Sequence, residues 1–263
     1  MLFVFSSWYD TDQHTGVNDA KALHFYDSIS FSNSYLYTFM RVVIFSNKND
    51  FTYHETRKCG DYYICFNNVI LSQKYPLHEL KTFKKFHKYF RIDADYVDLL
   101  SMYGKVDMLE YVKNTSYYFY YSNHAIDTAC GKGHVHVLDW WLNSGLPLKY
   151  TEWALHNASA DGNIEVLEWW FKSNLSLLYD HWALDWASDK GHVEVLSWWF
   201  NSKLPLKYSE RALEDASRNG HVEVLSWWFN SKLPINFQNW VLGYKPKIFN
   251  VNVLDWLVNN NLL

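Results

Sequence analysis

Cysteine is scarce in this 263-residue chain: the three present are an odd number, which argues against a disulfide framework and for reduced thiols in a cytosol-like compartment. Five prolines and ten glycines are likewise too few for a collagen-like or low-complexity chain, and charged residues at 20% are too few for a disordered one. Long apolar runs are missing as well. The most apolar stretch, Met40 to Phe45, is short and broken by Arg41, so no membrane span is expected. Met1 to Phe5 has no basic flank and too short an apolar core for a secretion signal, and a cytoplasmic protein is expected. Nor is there a surplus of positive charge. The net charge is −4; residues 1–90 carry 10 Lys/Arg and 8 Asp/Glu, whereas 91–263 carry 14 and 20. A nucleic acid, held by counterion release on a basic face, is therefore not an expected partner.

What the chain does hold is aromatic: 14 Trp, 20 Tyr and 17 Phe make up 19% of it, a quantity of bulky apolar surface that demands burial. Much of it recurs at a fixed period. GHVHVLDWWL from Gly133, GNIEVLEWWF from Gly162, and GHVEVLSWWF from Gly191 and again from Gly220 are spaced 29 residues apart. One step back lies GKVDMLEYVK at Gly104, and one step forward FNVNVLDWLV at Phe249. The pattern predicts about six units, the outer two degenerate, with a half-unit around Tyr75 that keeps only Leu77, Leu80 and Phe83.

Each unit reads as two antiparallel helices. Before the glycine, stretches such as SERALEDASRN place Ala212, Leu213, Ala216 and Ser217 on one small-residue face. In-register oxygens at Asp93, Ser122, Thr151, Asp180 and Ser209 are expected to cap these helices, with Gln238 a poor sixth. The glycine suits the residue after a helix, where positive φ reverses the chain. A second helix runs through Val222, Val224, Leu225, Trp227, Trp228 and Phe229 and is expected to close at Asn-Ser and Leu-Pro, because proline cannot continue it. One such pair cannot bury its own apolar face, so stacking into a solenoid is expected. The Trp-Trp pairs at 140/141, 169/170, 198/199 and 227/228 then form two ladders of packing between layers.

The order A-L-x-x-A-S-x-x-G-H-V-E-V-L, followed by three bulky apolar residues, resembles the ankyrin repeat over roughly residues 92–263. The turns are Gly133-His134, Gly191-His192 and Gly220-His221, with Asn163 and Lys105 replacing His elsewhere. The variant with paired Trp and Leu-Pro-Leu-Lys-Tyr is similar to short ankyrin-like arrays of fungi, oomycetes and large DNA viruses of amoebae; the Asn-, Tyr- and Phe-rich N-terminal part leans toward the viral group. The family's unit is usually 33 residues and opens with Thr-Pro-Leu-His, whereas here Trp153-Ala154-Leu155-His156 or Arg211-Ala212-Leu213-Glu214 stands in that place. The shortfall lies where the family builds its β-hairpin fingers, so these are expected to shrink to tight loops. Because the family commonly binds partners through finger tips and the concave first-helix face, the resemblance implies recognition resting on the helices.

Positions that vary between units, if exposed, can report a partner. Two first-helix columns do so: Asp95, His124, Trp153, Trp182, Arg211, Trp240, and Leu99, Thr128, Asn157, Trp186, Asp215, Tyr244. Their Trp residues either cover the adjacent unit or anchor an interface. The partner-binding candidates are accordingly Trp153, Asn157, Trp182, Trp186, Arg211, Asp215 and Trp240.

Catalytic, cofactor and metal sites are not expected. His134, His192 and His221 lie one or two units apart, and helices stacking at about 8–10 Å cannot share a metal ligated at about 2 Å. Bracing of the turn by a hydrogen bond explains them better. His54, Cys59 and Cys65 lack a fourth ligand in register. There is no phosphate loop, no Gly-x-Ser-x-Gly and no His-Glu-x-x-His, and Glu165, Glu194 and Glu223 form a solvated column.

Residues 1–90 are less informative. Tyr37 to Phe45 and Asp61 to Leu71 read as strands, the second folded at Asn67-Asn68 as a hairpin, giving a small α+β or irregular cap. Lys81, Lys84, Lys85 and Lys88 with Phe83, Phe86 and Phe90 form a basic amphipathic helix, read as a solvated link with its Phe face on the core. The expected architecture is an all-α, ankyrin-like solenoid over 91–263 behind a cap at 1–90. The expected function is a monomeric, non-enzymatic scaffold for an unidentified protein partner, from a host if the chain is viral. The competing reading is an adaptor that recruits host ubiquitin-ligase machinery through the N-terminal region.

Overall fold

A computed structural model describes the backbone of residues 3–6, 39–45, 53–58, 61–66, 69–71, 73–90, 92–116, 118–237, 240–241 and 250–262, with side chains from residue 73 onward. Two compact units result, Met1–Ser122 and Asn123–Leu263.

The first unit begins with strands β1 (Phe3–Ser6), β2 (Phe39–Phe45), β3 (Tyr53–Lys58), β4 (Asp61–Phe66), β5 (Val69–Leu71) and β6 (Tyr75–Pro76). Strand β2 is the hub, pairing antiparallel with β1, β5 and β6, while β3 and β4 form a separate antiparallel pair that closes at Lys58↔Asp61. The hairpin expected within Asp61 to Leu71 is therefore corrected: its halves belong to different sheets. The apolar triplet Val69-Ile70-Leu71 finds Phe45, Ile44 and Val43 as register partners, a pairing that a local hairpin with β4 would forgo. Asn67 and Asn68 lie outside the described residues, as do Cys59, Gln238 and Tyr244.

Helix α1 (Leu80–Phe86) and the 3-10 turn His87–Tyr89 bury Phe83, Phe86 and Phe90 while Lys81, Lys84, Lys85 and Lys88 stay exposed. The ammonium of Lys85 donates to the Tyr75 hydroxyl at 2.8 Å. This is the solvated link read from the sequence. Helices α2 (Ala94–Met102) and α3 (Val106–Thr115) complete the unit, with Asp93 accepting from Tyr96 N as the cap of α2.

The second unit repeats the helix pair: α4 (His124–Gly131) with α5 (Val135–Asn143), α6 (Trp153–Ala160) with α7 (Ile164–Lys172), α8 (Trp182–Asp189) with α9 (Val193–Ser202), and α10 (Arg211–Asn219) with α11 (Val222–Ser231). A final second helix, α12 (Val251–Asn259), packs on α11. First helices pack side by side in sequence order, and so do second helices. Ala125, Ala129, Ala154, Ala158, Ala183, Ala187, Ala212 and Ala216 are all buried, which lets neighbouring backbones approach closely.

Gly191 shows why its column keeps glycine in five successive units. Its φ is +82°, and a Cβ there would also sit 2.8 Å from Nδ1 of His221 in the next unit. The second helices close at Asn-Ser as expected in α5, α9 and α11, but the residue that stops them differs from the expectation. Leu-Pro does not end them; a left-handed residue does, in register at Gly145, Asn174, Lys203 and Lys232, with φ from 57° to 73°. Proline comes only after the chain has turned. The connections at residues 145–152, 174–181 and 204–210 carry no strand, so the fingers are reduced to loops.

The two Trp ladders separate. Trp141, Trp170, Trp199 and Trp228 are fully buried. The indole N–H groups of the last three donate one unit back, to Cys130 Sγ at 3.2 Å, Ser159 Oγ at 3.0 Å and Ser188 Oγ at 2.9 Å. Trp140, Trp169, Trp198 and Trp227 are half-buried, so the reading of both rows as core is corrected for this one. Adjacent helical residues point about 100° apart, and Val195, Leu196 and Trp199 already fill the inward face of α9. The outer row still links units: Trp169 donates to Asp139 at 2.7 Å, Trp198 to Glu168 at 2.6 Å, and Trp256 to Ser226 at 2.7 Å.

Candidate functional site

The N-terminal turns of the first helices are built by the residues preceding them. Thr151 Oγ1 accepts from Trp153 N at 3.2 Å, Asp180 Oδ1 from Trp182 N at 2.9 Å, and Ser209 Oγ from Arg211 N at 3.2 Å. These are the caps the sequence predicted. They have a second role that it did not predict, because each is tied to a buried residue 24 positions earlier.

Asp127, 1% exposed, accepts from Thr151 N at 3.0 Å and from the Thr151 hydroxyl at 2.7 Å. Asp185, fully buried, accepts from Ser209 N at 2.9 Å and from its hydroxyl at 2.5 Å. Within the first unit Asp98 holds Ser122 in the same way. Burial raises the carboxyls of Asp127 and Asp185 above their ordinary range, opposed by the donors from Thr151 and Ser209.

Between α6 and α8 the roles are exchanged. The buried position is His156, 2% exposed, and the cap is the acid Asp180. His156 Nε2 lies 3.3 Å from Asp180 N and 3.0 Å from its Oδ1. Burial lowers the His156 pKa, with the Asp180 carboxylate pulling the other way. A neutral ring accepts from the Asp180 N–H through Nε2; a protonated ring donates to the carboxylate instead.

Above this pair sits an aromatic row. Trp153 is 49% exposed at the start of α6. Its ring lies 5.3 Å from Trp186, which lies 5.5 Å from Trp182, and the Arg211 guanidinium stands 5.1 Å over Trp182. His156 meets Trp153 and Trp186 edge-on from below, at 6.1 and 5.8 Å. The fold thus brings together Trp153, Trp182, Trp186 and Arg211: Trp186 covers the neighbouring unit, while Trp153 is half exposed.

The remaining candidates divide. Asn157 joins the edge of the row, its Nδ2 donating to Asp127 O at 3.2 Å. Asp215 pairs with Arg218 at 2.5 Å rather than with Arg211. Trp240 is corrected out of the surface: it is 3% exposed and packs on Phe237 at 6.0 Å. The pairing of buried His156 with Asp180 is what the sequence reading passed over, having read Asp180 as a cap alone. The exchange of acid and base between two columns 24 apart was the signal available for it.

A cavity of about 320 Å³ opens between the starts of α4 and α6, lined by Asn123, His124, Asp127, Glu152, Trp153 and Asn157 together with Thr151. No Lys or Arg lines it. The turn residues reach the unit before them: Asn163 Nδ2 donates to Gly131 O at 2.7 Å, and His221 Nε2 lies 3.0 Å from Asp189 O. Among the described residues no group of three metal-ligating side chains converges. His54 stands opposite Cys65 in the β3–β4 register. No helix among them is long and apolar enough to cross a membrane.

A comparison with curated proteins finds no match. Among solved structures, the ankyrin repeat domain of human ASB11 is similar at 16% identity with a TM-score of 0.44, over 62% of this chain and 82% of that one. Residues 126–171 match the family model described as ankyrin repeats (many copies), and the same turn and helix pair recur at 29-residue steps on either side of that match.

Proposed function

We propose that the chain is a non-enzymatic scaffold that binds a protein partner, acting as a monomer and recognising it with the first-helix face of the array. The observation that carries this reading is the continuous row Trp153, Trp186, Trp182, Arg211 across α6, α8 and α10. Trp and Arg held on rigid helices are the side chains that concentrate binding energy at protein interfaces, and repeat arrays generally present such extended surfaces to partners. The fingers, reduced to loops, leave the helices as the main contact area.

The test is affinity capture by the full chain, comparing the wild type with Trp153→Ala/Trp182→Ala/Trp186→Ala. Loss of the captured proteins, with helical circular dichroism and the unfolding midpoint kept near the wild-type values, is expected. Unchanged capture by a folded triple variant would sink the assignment of this face.

A further inference from the structure

We infer that the cavity between α4 and α6 is a recognition pocket for an arginine side chain of the protein partner. This inference rests on the first-helix face being the recognition surface, and it names the chemistry of one position on it. The repeat itself supplies the comparison. Fifty-eight residues further on, between α8 and α10, Asp185, Ser209 and Glu210 occupy the places of Asp127, Thr151 and Glu152. There the chain provides its own guanidinium, with Arg211 lying 5.1 Å over the ring of Trp182. In the earlier interval the two corresponding places hold His124 and Trp153, an imidazole and an indole, and no Lys or Arg of the chain lines the cavity. The aromatic and acidic parts of the arrangement are present; the cationic part is supplied by the partner.

The geometry suits a guanidinium in particular. Trp153, half exposed, offers an indole face for stacking, and Trp is the strongest cation–π acceptor. Glu152 is exposed at the rim and accepts through two carboxylate oxygens, matching the planar fork of arginine. The amide nitrogen of Asn157 is engaged with Asp127 O, which leaves its carbonyl oxygen as a further acceptor. The partial positive charge at the start of α6 is opposed by the carboxylate of Glu152, which stands at the N-cap position of that helix. At about 320 Å³ the cavity is at the small end for a ligand site, the scale of one long side chain.

The test titrates the full-length protein with acetyl-arginine amide and, separately, with acetyl-norleucine amide, reading the Trp153 indole N–H and the Asn157 side-chain amide by NMR. Saturable shifts with the arginine probe on the order of millimolar, at least about tenfold weaker with norleucine, are expected for a single stacked, charge-assisted contact. Glu152→Gln should weaken the arginine probe several-fold. His124→Trp/Trp153→Arg, which copies the Trp182–Arg211 pair, should fill the pocket and abolish the Asn157 response. Equal binding of norleucine, indifference to Glu152→Gln, or arginine binding retained by the double variant each overturns the proposal. Partner capture lost in the triple Trp variant alongside an unresponsive Trp153 indole would leave the wider face standing and remove the arginine pocket.

Discussion

The junction between α6 and α8 and those on either side of it solve one problem with opposite chemistry. At the flanking junctions a buried carboxylate, Asp127 or Asp185, receives an N–H and an O–H from the cap of the next unit. At the middle junction a buried imidazole meets an acidic cap whose side chain is 46% exposed. In both, a polar group taken out of water is satisfied by the neighbouring unit, so register between units is set by hydrogen bonds as well as by packing. The difference is that a carboxylate only accepts, whereas an imidazole changes from acceptor to donor when protonated. One junction can therefore respond to mild acid in a way that its neighbours cannot.

The sharpest way to break the comparison is His156→Asp, which sets a buried carboxylate against Asp180. A loss of about 3 kcal/mol is expected from leaving two like charges in a poorly hydrated junction. Adding Asp180→Thr recreates the Asp127–Thr151 pair and should recover most of it. Urea denaturation of both variants measures this, and a double variant no more stable than the single one would contradict the equivalence of the junctions. Next in size, Ser209→Ala strips a hydroxyl donor from buried Asp185 together with a helix cap, and should cost about 2 kcal/mol. A loss of only a few tenths would mean that water replaces the hydroxyl.

The pH responses should differ in sign. Burial lowers the His156 pKa below the ordinary 6.5, so the unfolded chain binds this proton more readily than the folded one. The contribution of this junction is present in full above about pH 6.5 and fades as pH falls through 6.5 toward the folded value, by at most about 1.4 kcal/mol per pH unit. For Asp127 and Asp185 the folded pKa is raised above 3.8, so their contribution is present in full below that value and is lost as pH rises through the folded one. Between pH 7.5 and 5 the wild type should therefore lose more stability than His156→Asp/Asp180→Thr. Equal losses would remove His156 as the origin of the response. The smallest expected effect is a gain: Lys203→Gly relieves a left-handed lysine at the end of α9, where φ is 63°, and should stabilise by about 1 kcal/mol. A fall in the thermal midpoint would show that the lysine ammonium, over the Phe200 ring at 5.5 Å, matters more than the backbone.

Much of this was legible in advance for a definite reason. A glycine that must take positive φ has few substitutes, so the turn recurs visibly, and alanines that admit a neighbouring backbone are equally constrained. The left-handed residue that closes the second helix was hidden because only Gly145 and Asn174 suit that conformation, while Lys203 and Lys232 bear the strain. Asp127 and Asp185 drew no reading from the sequence, because their donors come from 24 residues further along, where single-helix reasoning does not look. The candidate face was partly legible: variation between units singled out Trp153, Trp182, Trp186 and Arg211, but Trp240 obeyed the same column and is buried.

The sequence alone determined the period, the helix pairs, the turns and the aromatic investment in stacking, because each follows from local backbone preference repeated every 29 residues. Only the tertiary structure decided which Trp of each pair is enclosed, which acids are buried, and that an arginine of one unit covers an indole of another while the interval two units earlier stays open. Those outcomes depend on what the adjacent unit places against each side chain, and contact across units is not encoded in the periodicity of either one.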